Sequence, residues 1–216
     1  GGGKTEKYAY RALPQQQSNG LKSNSGAALR AARLGGAMEE QIIRHCAPTL
    51  AGLKAGSMFS MPGQPGESLH CCQQALKPKG ICMEFLRVSQ NRSLVYLYRP
   101  AGLFRDWQAP GVKDFLEGYG YDLSAGMQTQ IEHLKARIKQ SSCFPHEIGL
   151  FLGYPLKDVQ GFIRHRGKNF IYCGCWKVYE SCAEERRLFE QFEKCRRIYL
   201  RRHMEGFSIT RLTVAG

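Results

Sequence analysis

His146 and Glu147 stand directly behind Pro145, at the point where the sequence predicts a helix to begin. Proline is accepted in a first turn because its missing N–H would have no partner there, and Ser141 or Ser142 is placed to cap the free amides. Those amides and the helix dipole favour an anion and draw a histidine's pKa down. His146 is therefore a candidate general base or ligand contact with Glu147 beside it. The competing reading has Glu147 complementing the dipole and His146 packing beside a strand. Cys46 follows His45 at the end of another predicted helix. A thiol there becomes a nucleophile when a neighbouring base lowers its pKa, whereas on an apolar stripe it is a small buried hydrophobe. A Cys46–His146 dyad needs the fold to bring the two within hydrogen-bond reach.

Three cations fall at element ends or inside a strand: Lys54 ahead of the first strand, Arg99 at the end of the third and Lys177 within the last. Together at one sheet edge, near the helix start at Pro145, they would hold a phosphate or carboxylate. The alternative is that each lays its stem over the core and its charge in water. Tyr154, Trp176 and Tyr179 would wall such a pocket or simply fill the core. Cys173 and Cys175, two apart on a strand, share a face, and with Cys182, the His45-Cys46 pair or His70-Cys71-Cys72 they include donors suited to a soft metal. The chain has no Cys-x-x-Cys pair, the tight-turn arrangement on which structural zinc sites rely, so no metal is expected. The sequence identifies no cofactor.

The elements that must position these residues follow from periodicity. Ile42, Ile43 and Cys46 recur at helical spacing, with Pro48 interrupting or restarting the helix. Ser57–Met61 reads as a strand and Ser68–Leu76 as a short helix; Ile81–Val88 and Ser93–Arg99 flank a polar turn as a β-hairpin. Leu103–Tyr121 is helical with a break at Pro110-Gly111, and Met127, Ile131, Leu134 and Ile138 stripe the next helix. Ile148, Phe151 and Leu152 mark a helix from Pro145 that stops at Gly153, and a second short one follows with Val159, Phe162 and Ile163 inward. Asn169–Tyr179 alternates with apolar residues on both faces, as a central strand would, and a last helix spans Cys182 to His203. No βαβ alternation carries a Gly-rich phosphate turn. The expectation is an α+β domain, a mainly antiparallel sheet of about four strands with helices packed against it.

The runs HCAPTLAGLKAGSMF, HEIGLFLGYPLKDVQGFI and GCWKVY together resemble an uncharacterised bacterial family, domain of unknown function 3793, over Met38 to about Tyr199. The resemblance implies a bacterial, anaerobe-associated, soluble protein and carries no activity to any residue.

Residues 1–37 are rich in Gly, Ser, Gln and Ala and too poor in large apolar side chains to offset the entropy of ordering, so they read as a disordered or non-native extension before a single domain over 38–216. The net charge is +13. The extension holds six basic residues and one acid, leaving a surplus of eight for the domain. Much of that lies in Arg186, Arg187, Lys194, Arg196, Arg197, Arg201 and Arg202, a pattern that serves a solvated helix face more readily than nucleic acid. Nine cysteines without an apolar leader suit free thiols in a reducing cytoplasm, and no apolar run is long enough to span a bilayer. The expected function is binding of a small anionic ligand or cofactor, with His/Cys-assisted catalysis as an extension through Cys46, His146 and Glu147. A protein-interaction module without chemistry, and nucleic-acid binding through the basic C-terminal helix, are the alternatives.

Overall fold

A computed structural model describes residues 26–140 and 144–216. The first helix, α1 (Gly26–Leu50), leads into β1 (Gly56–Pro62), then α2 (Glu67–Leu76) and a 3-10 turn at Lys77–Lys79. The hairpin β2 (Cys82–Val88) and β3 (Arg92–Tyr98) follows, then α3 (Pro100–Trp107), α4 (Val112–Glu117) and α5 (Met127–Gln140). Next come α6 (Ile148–Phe151), α7 (Leu156–His165), a small hairpin of β4 (Tyr172–Cys173) and β5 (Lys177–Val178), and lastly α8 (Ala183–Met204) and α9 (Ile209–Leu212). Residues 1–25 of the expected extension, and the serines expected to cap a helix at Pro145, lie outside the described residues. The described part of α1 begins at Gly26, ahead of the Met38 expected as the domain's start.

The main sheet has the order β1-β3-β2, both pairings antiparallel, so β3 is its central strand. Alternation along β3 then builds two cores. Val95 and Leu97 face α1 and α2, meeting Ile42, Ile43, Leu50 and Leu69. Tyr96 and Tyr98 face the layer made by α3 to α7, with Leu103, Trp107, Leu134 and Phe151. Every one of these side chains is nearly or wholly inaccessible to water. Fully burying a large aliphatic or aromatic side chain contributes about 1.5–3 kcal/mol, so both helical layers are held on by burial rather than by helix propensity. The β2-β3 register shifts at a bulge between Phe85 and Arg87, and Leu86 packs on the tyrosine side.

The expected fourth strand is not part of this sheet. Asn169–Tyr179 folds instead as the separate β4-β5 hairpin, with Tyr172 opposite Val178 and Cys173 opposite Lys177. Gly174 explains the departure. A Cβ placed there would lie 2.1 Å from Phe189 Cδ2 on α8, so the chain turns where only glycine clears the ring. Trp176, Val178, Phe189 and Phe192 form a third, smaller core beneath the hairpin. The helix expected from Pro145 is also shorter than its pattern suggests. It is the single turn of α6, ended by Gly153 at φ +69° as the sequence predicts.

Candidate functional site

The layers separate the residues singled out for chemistry. Cys46 is wholly buried in the core under α1 and α2, and burial pushes its thiol up to about 12, against weak opposing pulls from Lys54 and Arg196. His146 lies at the start of α6, on the other side of the sheet, with its ring edge-on to Phe162 at 5.0 Å between centroids. Desolvation of that ring draws its pKa below the ordinary histidine value while Glu147 opposes. The sheet stands between the thiol and the imidazole. Glu147 is 1 % exposed, pairs with Arg137 Nε and accepts a hydrogen bond from Tyr121 Oη at 3.3 Å. It ties α6 to α5 and to the turn holding Tyr121.

The cations are likewise dispersed. Arg99 is buried and directs its guanidinium at backbone carbonyls. Its Nε donates to Thr49 O at 2.7 Å, Nη2 to Leu50 O at 2.8 Å and Val214 O at 2.7 Å, and Nη1 to Lys79 O at 3.3 Å. Two of these carbonyls belong to the last turn of α1, where Thr49 O also accepts from the Gly52 amide and Leu50 O from the Val214 amide, each at 3.1 Å. Arg99 is thus a C-terminal cap assembled from the far side of the chain. Lys177 Nζ donates to Gly167 O at 2.6 Å and lies 4.7 Å from the centre of the Phe170 ring. Its Nζ and the His146 ring both lie against Phe162.

Lys54, Tyr154 and Trp176 are brought together. Lys54 occupies the bend between α1 and β1, and its Nζ lies 5.1 Å from the centre of the Tyr154 ring. Tyr154 stacks on Trp176 at 4.8 Å, and its hydroxyl donates to Cys175 O at 3.4 Å. Trp176 is fixed in turn by its Nε1 donating to Asp158 Oδ2 at 2.8 Å, while Asp158 Oδ1 accepts from the Tyr179 amide at 3.0 Å. A buried aspartate in the first turn of α7 therefore pins the hairpin that carries the tryptophan. From the sequence, Asp158 reads only as a dipole-complementing residue; the indole partner is remote in the chain and invisible to local pattern.

Lys54 and Tyr154 open on a cleft of about 330 Å3 whose other walls include Asp106, Trp107, Leu156 and Phe192. Among the described residues the half-buried ammonium of Lys54 has no ion pair or hydrogen bond. Desolvation draws its pKa down to about 8; the thiols of Cys175 and Cys46 pull it up weakly and Arg196 adds repulsion. Asp106 is drawn the opposite way, its carboxyl pushed above the ordinary aspartate value by burial against the partial opposition of Arg105, 3.6 Å away. Gly153 keeps this corner open. A Cβ there would sit 3.2 Å from Asp106 Oδ2 and 3.5 Å from the Ala55 amide nitrogen, which places the carboxyl beside the residue that follows Lys54. No local pattern marks Asp106, which lies on an amphipathic helix. A second, more open hollow of about 470 Å3 lies beside Cys175 and Phe189, where Arg196 is already paired with Glu193.

The basic helix is partly self-neutralised: Arg196 pairs with Glu193, Arg201 and Arg202 with Glu205, and Arg186 stacks on Tyr172 at 4.3 Å. Every described cysteine is a free thiol, Cys175 lies in the turn beyond β4 rather than on a strand face with Cys173, and among the described residues no three His, Cys, Asp or Glu side chains converge as metal ligands do. None of the described helices is long and apolar enough to cross a membrane.

Two helical layers on a three-stranded antiparallel sheet, with the Lys54 cleft at one corner, make up the frame of this chain. The model for a protein of unknown function, DUF3793, matches residues 42–213, and the chain belongs to that family. The match takes in α8 and α9, beyond the Tyr199 limit of the motifs. No curated protein and no solved structure matches the chain.

Proposed function

We propose that the protein binds a small organic anion in the cleft beside Lys54, with the ammonium as its counter-charge and Tyr154, backed by Trp176, as the wall for its apolar part. The observation that carries this reading is the half-buried Lys54 ammonium, which has no ion pair among the described residues and stands at the edge of a ligand-sized cleft. Withdrawing a cation from water without a partner costs stability, and a bound anion offsets that cost. A concave, largely apolar site with a few polar groups is the common form of a small-molecule site. The exposed thiols of Cys71 and Cys173 suit a reducing compartment such as the cytoplasm.

The test is thermal unfolding in pyruvate and in pyrophosphate against chloride at matched ionic strength, with native mass spectrometry of the protein purified without oxygen. The expected result is stabilisation by at least one organic or phosphate anion that is lost in Lys54→Met and kept in Lys177→Met. Equal stabilisation of wild type and Lys54→Met would overturn the reading.

A further inference from the structure

Lys54 offers more than charge. We infer that its Nζ is a nucleophile that forms an imine with an aldehyde or 2-oxo acid bound in the cleft, an inference that rests on the binding reading above. Three features carry it. The amine lies over the Tyr154 ring with no hydrogen bond or ion pair among the described residues to occupy its lone pair or hold its proton. It opens on a cleft of about 330 Å3, large enough for a small carbonyl compound. That cleft also contains a carboxyl, Asp106, and at its rim a guanidinium, Arg105, which suits the acid group of a 2-oxo acid.

The chemistry balances without an oxidant or reductant. The Nζ lone pair adds to the carbonyl carbon as the C=O π pair moves to oxygen, which takes up a proton, and the nitrogen loses one. The resulting carbinolamine expels its hydroxyl as water when an acid protonates it, leaving C=N. One amine and one carbonyl give one imine and one water. Asp106, which lines the same cleft and whose carboxyl is held above the ordinary aspartate range by burial, is the acid the cleft offers for this proton. The amine's titration near 8 instead of 10.5 supplies on the order of 100-fold more free base near neutrality than an ordinary lysine holds.

The experiment is reductive trapping of the whole protein with pyruvate and sodium cyanoborohydride, followed by peptide mapping, alongside calorimetric titration of pyruvate into wild type, Lys54→Arg and Lys54→Met. The expected result is alkylation of Lys54 roughly tenfold or more faster than of the exposed Lys113, Lys139, Lys168 and Lys194, rising as pH passes through about 8 and abolished in Lys54→Arg. Lys54→Arg keeps the cation and so keeps anion binding. Trapping no faster at Lys54 than at the exposed lysines overturns the inference. If pyruvate then still binds wild type and Lys54→Arg but not Lys54→Met, the binding reading survives alone; if affinity is the same in all three, that reading falls as well.

Discussion

Replacing Lys54 by Met should make the protein more stable near neutral pH. The substitution keeps an unbranched stem of similar length and removes the charge. In the folded chain the amine titrates near 8 and in the unfolded chain near 10.5. Each tenfold separation of the two constants corresponds to about 1.4 kcal/mol, so the gap sets a ceiling of about 3 kcal/mol on the cost of keeping the ammonium in the fold. Water reaches the half-buried group and lowers that to an expected 1–2 kcal/mol, roughly. The folded constant is the lower of the two, so the unfolded chain retains a proton the folded chain has lost throughout the window between them. Wild-type stability therefore rises with pH across that window, and the advantage of Lys54→Met is full below about 8, shrinks toward 10.5 and disappears above it. Urea unfolding of the two proteins side by side measures this, because every other titrating group is shared and cancels in the difference. A variant less stable than wild type near neutrality, or a difference that does not change with pH, would refute the claim that the ammonium is held without compensation. A residue that costs stability where it stands is what a functional position looks like before its ligand arrives.

Three further outcomes follow from the packing. Arg99→Met should cost about 3–4 kcal/mol in urea unfolding because four carbonyl contacts lose their donor, and Arg99→Lys, which cannot reproduce the fork, should recover only part of it. Gly174→Ala should cost about 1–3 kcal/mol by driving a methyl into Phe189, and the deficit should narrow when Phe189 is changed to Leu in the same chain; equal costs in both backgrounds would mean the ring is not the obstacle. Cys46 should resist iodoacetamide in the folded protein while Cys71 and Cys173 react, and its early labelling would contradict the wholly buried thiol.

Local pattern carried the helices and the β2-β3 hairpin because their signals are short-range. The alternation of Leu94, Tyr96 and Tyr98 against Val95 and Leu97 was legible as two faces, and the structure buries both. The same alternation misled at Asn169–Tyr179. There the deciding term is a contact between Gly174 and Phe189, fifteen residues apart on different elements, which no period-two pattern encodes. The cation cluster failed for a related reason. Arg99 at a strand end looks like an anion ligand, yet the fold brings carbonyls at the end of α1, at Lys79 and at Val214 to its guanidinium. Of the cations and aromatics expected around one pocket, Lys54, Tyr154 and Trp176 do meet, because Asp158 holds the hairpin in place. Asp106, across the same cleft, sits in α3 with no local pattern that marks it.

The Arg99 contacts also bear on the order in which the chain folds. They join carbonyls near residues 49, 79 and 214, the last being 115 positions along the chain. The full set cannot form until the end of α1, the 3-10 turn, β3 and the segment after α9 have all docked, and closing so long a loop early is entropically disfavoured. The complete set therefore closes late, and the guanidinium acts as a latch on the native fold. Its loss leaves the folding rate nearly untouched and appears as faster unfolding, on the order of 100-fold or more. What the latch contributes, beyond equilibrium stability, is the lifetime of the folded chain.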